Sequence, residues 1–260
     1  MLSSTQNPRI KHLLLLQQKS QQRRADGVFV VEGRREVEHC LEAGFTLRTA
    51  FVCEEIAGAG LALPQGVEVV PVARNVYERI AYRGGTEGIV AIVEARQLRL
   101  SDLTLSASPL IVVLESVEKP GNLGAILRSA DAAGADAVVV CDPLTDLYNP
   151  NLIRSAIGAI FTVPCVACTS EECIAFFREK GIQVLTAQLQ DSSLYYDTPM
   201  TGPTAIVMGT EATGLTNQWR QAADRHIRIP MLGRLDSLNV SVSAAILLFE
   251  AVRQRNITNS

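Results

Sequence analysis

The sequence predicts an α/β protein of two units, in which a smaller N-terminal sandwich precedes a parallel-sheet domain covered by helices. Three observations carry this expectation. The 260 residues exceed the usual length of one domain. From Leu110 onward, continuous apolar runs alternate with helical segments, the pattern of parallel strands buried on both faces. Between Ala95 and Ser108 the apolar periodicity lapses, and Ser101, Asp102, Ser106 and Ser108 gather ahead of Pro109. The expected division is therefore residues 1–95, a linker over 96–108, and residues 109–260.

Taken in order, the first unit reads as a helix over 7–22, a strand at 28–31, a helix over 33–43 and a strand at 47–52. A strand at 67–71, a helix over 75–82 and a strand at 89–94 complete it. The second unit places strands at 110–115, 137–141, 162–166, 183–187, 205–209 and 226–229. Helices are expected near 122–133, 149–159, 170–180 and 215–224, with a last helix over 239–253 whose Val240, Ala244, Leu247 and Leu248 form an apolar stripe.

Composition narrows the class. With 47% hydrophobic and 20% charged residues the chain is neither disordered nor fibrous. Its apolar runs are far too short to span a bilayer and the N-terminus has no signal-peptide pattern, so a cytoplasmic location is expected. Cys165 and Cys168 form a C-x-x-C, with Cys173 close behind. A zinc site of this kind needs a second ligand pair, and His12, His39 and His226 are scattered, so no metal is expected and the six cysteines read as buried thiols. The net charge of −3 does not mark the whole molecule as a nucleic-acid binder. Locally, however, residues 1–35 hold Arg9, Lys11, Lys19, Arg23, Arg24, Arg34 and Arg35 against Asp26 and Glu32, a basic face able to grip phosphates.

Ligands of open parallel sheets bind beyond the carboxyl ends of strands, and three such loops carry unusual residues. The loop after 110–115 brings Gly121, Asn122, Gly124 and Arg128, with Asn122 suited to cap the next helix. Its G-x-x-G lacks the third glycine and the acidic ribose partner of a dinucleotide fingerprint, which argues against a nicotinamide enzyme. The loop after 205–209 holds Gly209, Glu211 and Gly214, where glycine permits close backbone approach. After 226–229 come Ser237, Asn239 and Ser241, more polar side chains than one helix end needs.

Asn122-Leu-Gly-Ala-Ile-Leu-Arg128, Gly209-Thr-Glu211-x-x-Gly214-Leu215, and Ile229-Pro-Met231 through Ser237-Leu-Asn239-Val-Ser241 resemble, in order, the three motifs of the SpoU/TrmH ribose methyltransferases of the SPOUT superfamily. The resemblance covers about 109–255. Asn7-Pro-Arg9-Ile-Lys11, Phe29-Val-Val-Glu-Gly33 and Gly88-Ile-Val-Ala make the first unit similar to the RNA-binding sandwich of the ribosomal-RNA members.

That resemblance implies a C-terminal sheet tied in a trefoil knot, a homodimer with its active site at the interface, and methylation of a ribose 2′-hydroxyl from S-adenosylmethionine. The substrate it implies is structured RNA, foremost large-subunit ribosomal RNA. By motif position the cofactor would lie on Gly209, Ile229 and Leu238, with Ala187, Met231 and Gly214 beside them. Arg128 is the implied catalytic residue, positioned with Glu211, Ser237, Asn239 and Asn122. A guanidinium is a poor proton acceptor, so a role in holding a phosphate or the developing alkoxide suits Arg128 better than that of base. Arg9, Lys11, Arg23, Arg24 and Arg34 are the expected RNA contacts. Two alternatives stand beside this reading: a transfer-RNA methyltransferase, and a non-catalytic RNA-binding protein on the same scaffold.

Overall fold

A computed structural model describes residues 1–58, 62–82, 87–210, 212–234 and 236–258. Two compact units emerge, and their division departs from a single cut in the chain. Unit 1 comprises Met1–Arg96 and also Asp146–Thr162; unit 2 comprises Gln97–Thr145 and Val163–Ser260.

In unit 1 the chain forms α1 (Pro8–Gln18), α2 (Ser20–Asp26), β1 (Val28–Glu32), α3 (Arg34–Glu42), β2 (Leu47–Val52) and α4 (Glu54–Ala57). It continues with β3 (Glu68–Pro71), α5 (Arg74–Ile80) and β4 (Ile89–Glu94). Asn7 caps α1 by accepting a hydrogen bond from the Arg9 amide, and Pro8 sits at the first turn, where its missing N–H costs nothing. The single helix expected over 7–22 is two. Lys19 is extended, and the break allows Arg23 Nη1 to donate to the Leu16 carbonyl at 2.6 Å. The strands pair in the order β1-β4-β2-β3, antiparallel except for β2 with β3.

β1 is buried on both faces. Ile10, Leu13 and Leu16 of α1 share one core cluster with Val28 and Val30. On the other face Phe29 stacks on Tyr148 at 4.2 Å and meets Phe161 at 6.0 Å. Those partners come from the 146–162 segment, which forms α7 (Pro150–Ala156) and α8 (Ala159–Thr162) after β5, α6 and β6 of unit 2 have been laid down. The helix expected near 149–159 therefore completes unit 1. It does not join the C-terminal alternation.

Unit 2 contains β5 (Leu110–Glu115), α6 (Pro120–Ala132), β6 (Ala137–Cys141), β7 (Cys165–Cys168), α9 (Ser170–Lys180), β8 (Gln183–Ala187) and β9 (Ser193–Leu194). It ends with β10 (Thr204–Met208), α10 (Asn217–Ala222), β11 (Arg225–Arg228) and α11 (Val240–Thr258). Seven strands form one parallel sheet in the order β7-β6-β5-β10-β8-β11-β9. β5, β6 and β10 are buried throughout, as continuous apolar runs require. The two-residue β9 carries no pattern and was not expected.

Residues 97–108, expected as a spacer, fold onto this unit. Leu100, Leu103 and Leu105 pack against the core that holds Val113, Val139 and Trp219. Asn122 lies within the first turn of α6, which starts at Pro120 with Lys119 at the capping position, so the expected cap is not formed there. Asn239 does cap its helix: its Oδ1 accepts from the Ser241 amide at 2.9 Å.

The six cysteines are free thiols. Cys141, Cys168 and Cys173 bring their sulfurs within 4.8 Å of one another at the carboxyl ends of β6 and β7, while Cys165 stands apart. No helix among the described residues is long and apolar enough to cross a membrane.

Candidate functional site

The carboxyl ends of β8, β10 and β11 surround a cavity of about 420 Å³ in unit 2. That volume lies within the range of cofactor pockets. β8 contributes Ala187 and Gln188; the β10 loop contributes Gly209, Thr210 and Gly214; the segment after β11 contributes Ile229, Met231, Asp236, Ser237 and Leu238. All six expected cofactor positions therefore line one space, together with Ser237.

The β10 loop is tightly folded. Gly214 N–H donates to the Thr210 carbonyl at 3.0 Å, and the Thr210 and Thr213 hydroxyls meet at 2.8 Å. Gly209 and Gly214 are required for different reasons. A Cβ on Gly209 would lie 2.3 Å from the backbone carbon and oxygen of Gly214, so only hydrogen fits. Gly214 has open space around it but a φ of +67°, the left-handed region that glycine enters without strain.

The loop's far end is anchored by Glu115. This buried carboxylate at the end of β5 accepts from the Thr216 amide at 2.8 Å and from the Thr216 hydroxyl at 2.7 Å. Sequence reasoning passed over Glu115, which looks like the polar end of an apolar strand. It also passed over Gln188 and Arg220. Both line the cavity, and Gln188 Oε1 and Arg220 Nε are buried without a hydrogen-bond partner among the described residues. Buried polar atoms of this kind ask for a ligand. No local sequence motif advertises either residue.

At the edge of the cavity Asn239 Nδ2 donates to Asn122 Oδ1 at 3.2 Å, tying α11 to α6. Arg128 lies farther along α6. It is exposed, is not among the cavity-lining residues, and has no hydrogen-bond or ion-pair partner among the described residues. Its charge is thus available to an anion from outside. Glu211 lies outside the described residues.

In unit 1 the five expected RNA contacts separate. Lys11 and Arg24 are exposed, Arg9 pairs with Glu68 across 2.7 Å at the surface, and half-exposed Arg34 donates to the Ala57 carbonyl. Arg23 is 4% exposed and bound to Asp146 at 2.7 Å. Its guanidinium is committed inside the unit and not offered to phosphate, because an unpaired charge buried that deeply would be costly.

Comparison with known proteins separates an N-terminal from a C-terminal part of the sequence, the latter including the 146–162 segment of unit 1. Residues 109–249 match the SpoU rRNA Methylase family model, and residues 7–91 match the MRM3-like substrate binding domain. The 23S rRNA (guanosine-2'-O-)-methyltransferase RlmB of Vibrio vulnificus is 39% identical over 196 residues, 73% of this chain and 79% of that protein. The 23S rRNA (guanosine(2553)-2'-O)-methyltransferase RlmP of Bacillus subtilis is 27% identical and covers 95% of this chain and 97% of its own length. A crystal structure described as an AdoMet-bound rRNA methyltransferase from Sinorhizobium meliloti superposes with a TM-score of 0.89 at 31% identity, covering 97% of each chain. With the second and third motifs gathered on one cavity, the first tied to them through the Asn239–Asn122 hydrogen bond, and more than half its length matched by the family model, the chain belongs to the SpoU rRNA methylase family.

Proposed function

We propose that this protein transfers a methyl group from S-adenosylmethionine to a ribose 2′-hydroxyl of large-subunit ribosomal RNA. The observation that carries this reading is the cavity at the ends of β8, β10 and β11, lined by the motif loops of a SpoU-family chain. The residues present fit the cofactor. Gly209 leaves room where any side chain would collide with the opposite strand of its loop, and Met231, Ile229 and Leu238 offer an apolar surface for a purine. Gln188 and Arg220 hold an acceptor and a donor unpaired among the described residues inside the same space. S-adenosylmethionine supplies a methyl group on a sulfonium, already an activated donor.

The protein's task is then alignment and charge management. Arg128 holds a substrate phosphate or the developing alkoxide. The Asn239–Asn122 pair fixes α6, and so Arg128, against the cofactor loops. Ser237 and Glu211 complete the positioning, and the reaction calls for no metal. Arg9, Lys11, Arg24 and Arg34 provide the outward phosphate contacts of unit 1. The reading includes threading of the C-terminal segment as a knot, a cytoplasmic location and a homodimer. Val242 and Phe249, seven residues apart on α11 and each 47% exposed, support the dimer as an apolar strip in need of a partner.

Ribosomal RNA from a strain lacking the gene, mapped for missing 2′-O-methyl groups, tests the proposal. Recovery by the wild-type chain but not by Arg128→Ala, with cofactor binding intact in both, is the expected result. Unchanged methylation in the deletion strain overturns it.

A further inference from the structure

A second cavity, of about 410 Å³, lies within unit 1. Its floor is apolar, formed by Leu14, Val30, Ile80 and Ile153. Arg23, held in a buried ion pair with Asp146, lines one side. At the mouth stands Tyr82, a tyrosine 61% exposed, with the Arg154 guanidinium 3.6 Å from its ring centroid. Arg154 Nη1 donates to Asn151 Oδ1 at 3.1 Å, which holds the guanidinium in place. Neither Arg154 nor Arg79, which also lines the cavity, has a carboxylate partner among the described residues.

Glu32 and Glu36 also line the cavity, but Glu32 accepts from the Tyr82 amide at 3.0 Å and Glu36 pairs with Arg35 at 2.9 Å. An exposed aromatic ring and two arginines without a carboxylate partner among the described residues, around an apolar floor, match one ligand chemistry. A nucleotide carries a flat base for stacking and insertion, and a phosphate for the two arginines. An acidic peptide would use the arginines but leave the ring and floor unexplained. A base in a duplex cannot reach such a floor, because its faces are covered by its neighbours, so the ligand is an unpaired nucleotide.

We propose that this cavity binds one unstacked nucleotide of the RNA substrate, its base against Tyr82 and Arg154 and its phosphate on Arg79 and Arg154. The proposal rests on the RNA-methyltransferase reading and adds to it a requirement for a single-stranded element near the modified site. It also makes Asn151 and Arg154, which follow the first strands of the catalytic half in sequence, part of substrate recognition.

The test uses the full chain. A fluorescein-labelled mixed-sequence 12-nucleotide RNA, single-stranded and annealed to its complement, is titrated by fluorescence anisotropy, and S-adenosylmethionine binding is measured on the same preparations. Tyr82→Ala and Arg154→Ala are each expected to weaken single-strand binding roughly 5- to 100-fold, the range for loss of one stacked base. Duplex binding and cofactor binding should stay within about twofold of wild type. Tyr82→Phe, which keeps the ring, should retain single-strand affinity. Wild-type affinity in both truncated variants, or equal losses for single strand and duplex, overturns the nucleotide pocket while leaving the enzyme reading intact. A wild-type chain that binds neither RNA and transfers no methyl group overturns both.

Discussion

Gly209→Ala is the sharpest probe of the cofactor cavity. The substitution adds one methyl group at a residue whose φ lies outside the left-handed region, so alanine suits its backbone and any effect must be steric. The new Cβ would lie 2.3 Å from the carbon and oxygen of Gly214 and 2.5 Å from the Leu215 amide nitrogen. Ordinary contact needs about 3.5 Å or more, so the loop must retreat by roughly 1 Å, and it is backbone that must move. Overpacking of this kind costs about 1–3 kcal/mol, which lowers Tm by roughly 2–12 °C in a protein of this size. The retreat would also displace the wall formed by Thr210, Thr213 and Gly214, so S-adenosylmethionine affinity should fall at least tenfold, read by titration calorimetry. Gly181→Asn is the control: Gly181 has a φ of +64° with nothing within 4 Å of a new Cβ, lies outside the cavity lining, and asparagine tolerates positive φ, so this variant should bind cofactor within about threefold of wild type. Wild-type affinity in Gly209→Ala would refute the assignment of this loop to the cofactor.

Other substitutions separate positioning from stability. Asn239→Asp keeps the oxygen that caps α11 but loses the donor to Asn122, so melting should shift by less than about 2 °C while methyl transfer falls more than tenfold. Asn239→Ala removes both and should in addition lose about 1 kcal/mol of stability, visible in thermal denaturation. Glu115→Ala strands the Thr216 amide and hydroxyl and should lower Tm by several degrees, through about 1–3 kcal/mol of unmade hydrogen bonding. Hydrogen bonds from Arg253 hold the Glu250 carboxyl below its ordinary 4.5. Its contribution is therefore complete above about pH 4.5 and lost as pH falls through the lower folded-state value, and Glu250→Gln should flatten the acid limb of the stability profile. Hydrogen bonds from Cys141 and Cys173 bring the Cys168 thiol down to about 5, whereas burial pushes Cys40 up to about 12. Iodoacetamide at pH 7 should label Cys168 well ahead of Cys40, as followed by peptide mass spectrometry.

Much of unit 2 was legible because parallel strands buried on both faces must be continuous apolar runs, as 110–114, 137–141 and 205–208 are. The motif residues were legible as loops after such strands, where ligands sit. What escaped notice depends on distance along the chain. Nothing near Tyr148 or Phe161 says that they pack on Phe29, more than a hundred residues earlier. Arg23 reads as a surface cation until Asp146, 123 residues away, is brought beside it. Gln188 and Arg220 acquire meaning only when the sheet closes a cavity around them, and Leu100, Leu103 and Leu105 are too few to show a period yet enough to anchor a segment that looks like a spacer.

The route of the chain through unit 1 bears on how the protein is made. Residues 1–96 emerge from the ribosome without the partners that cover one face of β1, and those partners are finished only at Thr162, about 66 residues later. At translation rates of roughly 5–20 residues per second, Phe29 and Phe45 wait about 3–13 s, counted from residue 96, for Tyr148 and Phe161 to be complete. The nascent N-terminal segment is thus sticky for the time needed to synthesise the first strands of the following domain, an interval in which a holding chaperone has something to grasp. The same route means that a gene fragment cut after Arg96 encodes an incomplete module, so the two halves of this chain cannot be exchanged by simple recombination at the boundary where their sequence patterns change.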